Sequence, residues 1–145
     1  MKRSSRMEVV EKVIRQQEDR AAAALGLAQT QVKQEQQKLG ELNEYLNSYE
    51  NDMLSRGGQG ISGQQWQNFQ YFIGQLEQII GQQKQAILVA EQQLNQVRMR
   101  WQQIHIKRKS ISGLIENIRI EEWVVEEKRE QKELDELVSQ LQARR

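Results

Sequence analysis

No proline interrupts the 145 residues, and four of the nine glycines fall within Ser55-Arg56-Gly57-Gly58-Gln59-Gly60-Ile61-Ser62-Gly63. Glycine adopts positive φ freely and weakens a helix by roughly 1 kcal/mol relative to alanine. Such a cluster between two long periodic segments marks a break. The sequence therefore predicts an all-α fold: two long helices joined at the glycines into an antiparallel coiled-coil hairpin, the second helix longer. The expected bounds are helix one over about 5–54, a turn over about 55–63 and helix two over about 64–140, in a single hairpin domain over 1–145.

The helical periods are explicit. The first seam reads Met7, Glu11, Ile14, Glu18, Ala21, Leu25, Ala28, Val32, Glu35, Leu39, Leu42, Leu46, Tyr49 and Met53. Steps of four and three alternate throughout, which indicates a coiled coil rather than a surface helix. The second reads Trp66, Phe69, Ile73, Leu76, Ile80, Gln83, Ile87, Ala90, Leu94, Val97, Trp101, Ile104, Arg108, Ile111, Ile115, Ile118, Glu122 and Val125. Then the phase slips across Glu126–Glu133, where a break, a bend or a change of partner is expected, and Leu134, Leu137 and Leu141 form a new short stripe. Only 37% of the chain is hydrophobic, enough for a helix–helix seam and too little for a layered core.

Facing positions of an antiparallel pair have a constant sum of residue numbers, here about 118–119. This register sets Leu46 by Ile73, Leu42 by Leu76 and Ala28 by Ala90. It also sets Glu35 beside Gln83 and Glu11 beside Arg108, while Glu18 falls near Trp101 with no evident partner. Helix one is exhausted near Ile111. Everything from about Ser112 onward is then expected to lack a partner within the chain, as a helix stabilised by another molecule or disordered alone. Ser4 or Ser5 is positioned to cap helix one, with Glu8 in its first turn.

No catalytic constellation is present, so no enzymatic activity is expected. The single histidine, His105, reads as a solvated surface residue among Lys107, Arg108 and Lys109. The glycine cluster lacks the lysine and strand context of a phosphate loop. There is no cysteine, no metal-ligand spacing and no implied cofactor. Met1–Arg20 has neither the apolar run of a secretory signal nor that of a membrane span, so no direct membrane insertion is expected.

Two surface features remain. With Leu46 and Ile73 as a positions, Lys38, Tyr45, Phe72 and Ile79 are g positions, and g flanks adjoin in an antiparallel pair. Tyr45 and Phe72 either seal each other in a locally wider core or leave a hydrophobic patch for another protein, continuous with Leu42, Tyr49, Leu76 and Gln83. The second feature is basic: Lys2, Arg3, Arg6, Lys12 and Arg15 lie opposite Arg98, Arg100, Lys107, Arg108 and Lys109. This is either a solvated face balanced by Glu8, Glu11 and Glu18 or a surface for an acidic cavity. A net charge of +1 argues against a whole-chain nucleic-acid footprint.

Several stretches resemble the FliJ family, small coiled-coil proteins of the bacterial flagellar type III export apparatus. They are Asp19-Arg20-Ala21-Ala22, Leu39 to Tyr49, and Gly60-Ile61 through Trp66, Asn68, Gln70, Phe72, Ile73, Leu76 and Glu77. The Gly-Ile…Trp…Phe-Ile…Leu-Glu run is the most specific. The resemblance implies a cytoplasmic, stalk-like protein at the flagellar base, peripheral to the inner membrane. Its implied partners are an export ATPase ring, the cytoplasmic domain of an FlhA-like export gate, and export chaperones. It implies an export-gate surface of Leu42, Tyr45, Tyr49, Phe72 and Leu76, with Lys38, Ile79 and Gln83 as less strictly matching neighbours. It further implies ring docking through the basic end, with Lys2, Arg3, Arg6, Arg98, Arg100, Lys107, Arg108 and Lys109 as candidates. A nucleic-acid-associated coiled coil and a parallel homodimeric scaffold are the rival readings of the residues alone.

Overall fold

The structure is a computed structural model and describes residues 1–58 and 60–144; Gln59 of the expected turn and Arg145 lie outside the described residues. Two helices account for the fold: α1, Arg3–Gly57, and the longer α2, Gly63–Ala143. They pair antiparallel as a coiled-coil hairpin, which is the fold class read from the heptads.

The connection is short because its parts are specialised. Gly60 sits at φ 89°, a left-handed conformation that a side chain rarely adopts. Its N–H donates to the Gly57 carbonyl at 3.3 Å. Immediately afterwards Ser62 and Gln65 form a capping box. The Gln65 N–H donates to Ser62 Oγ at 3.1 Å, and the Ser62 N–H donates to Gln65 Oε1 at 3.1 Å. Two otherwise unpaired N–H groups at the start of α2 are thereby satisfied.

The described residues gather into two compact units. One, the terminal unit, comprises Met1–Arg20 with Trp101–Arg145; the other, the turn unit, is Ala21–Arg100. In the turn unit the core is Ala21, Val32, Phe69, Leu76, Ile80 and Ala90. In the terminal unit it is Ile14, Ile115 and Ile118. Every α1 seam residue from Met7 to Met53 is buried or half-buried, as is every α2 seam residue except Trp66 and Val125.

Four expectations are corrected. Helix α2 runs through Glu126–Glu133 without a break, since the segment is rich in helix-forming Glu, Lys and Arg and lacks glycine and proline. The partnered stretch of α2 does not end near Ile111. Ile115 is only 2% exposed, and Arg119 and Glu122 bond to Glu8 and Ser4. Arg108 pairs with Glu18, not Glu11. Finally, Ser4 lies inside the first turn of α1, where its N–H and Oγ donate to Glu122 at 3.0 and 2.6 Å. A carboxylate from α2 thus caps α1, the charge favoured at a helix N-terminus. The displaced pairings share one reason. Helical side chains lean toward their own N-terminus, and a real helix drifts against a strict 3.5-residue repeat.

Replacing Ile115 by alanine removes the most deeply buried side chain of the terminal unit. We expect a loss of about 2–4 kcal/mol in denaturant unfolding. Ser62→Ala should cost about 1 kcal/mol through the lost cap.

Candidate functional site

The turn unit carries a continuous run of aromatic rings. Tyr45 meets Phe72 edge-on with centroids 6.1 Å apart, and Phe72 packs against Tyr49 at 4.5 Å. Tyr49 stacks on Phe69 at 5.4 Å, and Phe69 on Trp66 at 5.5 Å. Helical spacing explains the run: Tyr45 and Tyr49 are one turn apart on α1, and Phe69 and Phe72 one turn apart on α2. Such pairs add about 0.5–1.5 kcal/mol each beyond their buried area.

Of the gate residues inferred from sequence, all eight lie in the turn unit, but in three different states. Tyr45 is 55% exposed and Ile79 48% exposed, offering apolar surface directly. Leu42, Tyr49 and Phe72 are half-buried between the exposed rings and the seam, whereas Leu76 is core at 5% exposure and supports the others from beneath. Lys38 and Gln83 belong to a polar cluster around Glu35. Gln83 Nε2 donates to Glu35 Oε2 at 2.6 Å and to the Glu35 carbonyl at 2.8 Å. Gln31 donates to Glu35 at 2.9 Å, and Lys38 forms an ion pair with it at 3.5 Å. Tyr45 and Phe72 therefore both touch each other and leave a face open, so the two readings of this flank meet in one geometry.

The basic candidates divide between the units. Lys2, Arg3, Arg6, Lys107 and Lys109 are exposed in the terminal unit. Arg108 is half-buried there, with Nε 2.9 and 3.1 Å from the Glu18 carboxylate. Arg98 and Arg100 are exposed in the turn unit, and Arg98 donates a long bond to Asn95.

His105 is not the solvated residue expected. Its ring stacks on Trp101 at 4.8 Å and 12°, and Nδ1 lies 2.9 Å from Glu18 Oε2. Its e position beside the seam carried the signal, because an e residue one turn beyond Trp101 can reach a seam carboxylate across the pair. Ser4 was also legible in principle: it sits one seam step before Met7.

The seam carboxylates are held ionised. Burial pushes Glu18 up, but the hydrogen bonds from His105 and Arg108 outweigh it and leave the group below its ordinary value. Hydrogen bonding by Gln83 lowers Glu35, and the Ser4 hydroxyl and N–H lower Glu122. Among the described residues no group of His, Cys, Asp and Glu could hold a metal ion, and no helix is long and apolar enough to cross a membrane.

The family model described as Flagellar FliJ protein matches residues 2–145. The chain belongs to the FliJ family. The Flagellar FliJ protein of Escherichia coli (strain K12) is 27% identical over 125 residues, which cover 86% of this chain and 85% of that protein. The Flagellar FliJ protein of Salmonella typhi is 24% identical over 139 residues, covering 96% and 95%. No solved structure matches this FliJ chain.

The lowered carboxyl groups set the pH response. Glu18, Glu35 and Glu122 titrate below their unfolded value of 4.5, so their stabilisation is complete above that pH and is lost as pH falls through the folded values. Helical melts followed by circular dichroism should show a constant midpoint between pH 7 and 5 and a falling one below 4.5. Glu18→Gln should flatten part of that fall.

Proposed function

We propose that this FliJ-family chain is a non-enzymatic component of the flagellar type III protein export apparatus, and that it couples an export ATPase ring to the membrane export gate. The observation that carries the gate half of this reading is the open aromatic flank Tyr45–Phe72 with Ile79, backed by Tyr49, Leu42 and Leu76. A protein partner gains most from rigid aromatic side chains set beside a packed core, since little conformational freedom is lost on binding. Lys38, at the edge of this flank, supplies a polar rim. The seam carboxylate Glu35 holds Gln83 in place and so fixes the flank's border.

The ring half rests on the exposed cations of the terminal unit, Lys2, Arg3, Arg6, Lys107 and Lys109, with Arg98 and Arg100 on the turn unit. Exposed cations on two helices already committed to each other fit an acidic cavity in a protein better than a nucleic-acid groove. Arg108 contributes by holding Glu18 rather than by facing a partner. ATP hydrolysis belongs to the ring in this reading, and the chain acts by binding some states of ring and gate better than others. Escort of export chaperones and a cytoplasmic position at the flagellar base, peripheral to the inner membrane, complete the proposal.

The test is a binding titration of the Tyr45→Ala/Phe72→Ala variant against the cytoplasmic domain of the export gate. We expect at least a tenfold loss of affinity with helicity unchanged, as for a truncated aromatic hot spot. Undiminished binding by a fully helical variant contradicts the assignment.

A further inference from the structure

The stripe Leu134, Leu137 and Leu141 is out of phase with the hairpin seam but in phase with another row of α2. Ile106, Gly113, Ile120, Glu127, Leu134 and Leu141 recur every seven residues, and Ser110, Asn117, Val124, Gln131 and Val138 run between them at steps of four and three. This is a second 3.5-residue period, on the face of the helix turned away from α1. The whole row is exposed, Ile106 by 63%, Ile120 by 52% and Leu134 by 55%, with Trp123 at its edge open by 63%. The seam partner α1 is already used up at this end, since Ser4 in its first turn bonds Glu122. From Glu127 to Arg144 every residue of α2 is exposed.

We infer that this outer row is a second coiled-coil seam whose occupant is another copy of the same chain, lying antiparallel against α2 and centred level with Glu122. Self-complementarity carries the choice. About that centre Ile120 faces Val124 of the second copy, and Ile106 faces Val138. Asn117 faces Glu127, an amide donor against a carboxylate. Leu134 faces the small Ser110, and Gln131 faces Gly113, where a Cβ would meet nothing within 4 Å. Each match occurs twice, because the two surfaces are the same surface. A slip of one heptad in one direction sets Ile120 against Gln131 and Asn117 against Leu134. In the other it sets Ile106 against Gln131 and Asn117 against Ile120. A slip of two toward the C-terminus leaves Ile106 with no opposite residue.

Flanking charges give the same direction. In the hairpin itself Glu8 reaches Arg119 across one flank of the seam, and Tyr45 reaches Phe72 across the other. The same spacings across the outer row bring Glu121 to Lys128, and Lys109 to Glu130, of the second copy. None of these four forms an ion pair among the described residues of its own chain. The two Glu121 carboxylates approach each other near the centre, each with the other copy's Lys128 beside it. A parallel copy would instead stack Glu127 on Glu127 in the core, with Glu116 beside Glu121 and Glu130 beside Asp135 on the flanks. Charge thus favours one direction and opposes the other. The pairing covers apolar surface on a helix end that has no other support, and it is independent of the partners proposed above.

Sedimentation equilibrium of the full chain should show the weight-average mass rising with concentration to twice that of the monomer. Ile120→Lys/Val124→Lys should hold it at the monomer value with helicity unchanged, because both side chains are exposed and off the hairpin seam. The chain has no native cysteine, so introduced ones report cleanly. Chains carrying Ile106→Cys and Val138→Cys should form disulfide-linked dimers when mixed and oxidised, and neither should do so alone, since a disulfide needs closely opposed Cα atoms. A chain that stays monomeric at every concentration, as one whose outer row serves a different protein, overturns the proposal. So does cross-linking of either cysteine chain with itself, the mark of a parallel pair. If the lysine variant loses helicity, the charges give the reading instead. Lys128→Glu should weaken the dimer several-fold and Glu121→Lys/Lys128→Glu should restore it, whereas an association unmoved by Lys128→Glu overturns the register.

Discussion

One apolar stripe on each of two helices carries the whole fold. The chain has no second layer to fall back on, so each seam residue contributes only through its opposite number. That constraint explains why large and small residues both appear in the core. Ala21 and Ala90 are as buried as Leu76 and Ile80, because close approach at a small residue is as necessary to interdigitation as a large one elsewhere. It also leaves apolar residues away from the seam, such as Leu27, Leu88, Ile106 and Trp123, exposed on both helices. The aromatic flank of the turn unit is the case in point: Tyr45 is anchored by Phe72 yet leaves more than half its surface open.

Charge inside the seam has a different task. Glu35 and Glu18 each interrupt the apolar stripe, and each is matched by donors from α2: Gln83 for the first, His105 and Arg108 for the second. Two buried isoleucines would stabilise such positions at least as well. What a matched polar pair adds is selectivity, since any other alignment leaves a carboxylate without donors. Glu122 extends the same logic to a helix terminus by bonding the first-turn N–H and hydroxyl of Ser4.

Much of this was legible in the sequence because the heptad is so regular. The seam, the antiparallel direction, the Glu35–Gln83 pair and the Tyr45–Phe72 neighbourhood all follow from counting by fours and threes. The exceptions share a physical origin. Counting treats helices as rigid ladders, so it sets Arg108 opposite Glu11 and ends the pairing too early. Real side chains lean along the axis, and Arg and Glu reach a full turn. Trp66 and Val125 fall at the seam's two ends, where α1 has little left to cover them, and they are open to solvent. His105 was missed because its environment is made by the other helix. The eight residues expected to face an export gate were legible as neighbours, but not their division into exposed Tyr45 and Ile79, core Leu76 and the polar cluster of Lys38 and Gln83 around Glu35.

The central claim is that a single molecule folds back on itself through the glycine turn. Fluorescence energy transfer between dyes at Leu27→Cys and Gln92→Cys, exposed positions on α1 and α2 of the turn unit, tests it most directly at nanomolar concentration. Helix axes about 8–10 Å apart predict near-complete transfer within one chain. Low transfer, with the dyes tens of ångströms apart, would contradict the hairpin and every assignment built on it.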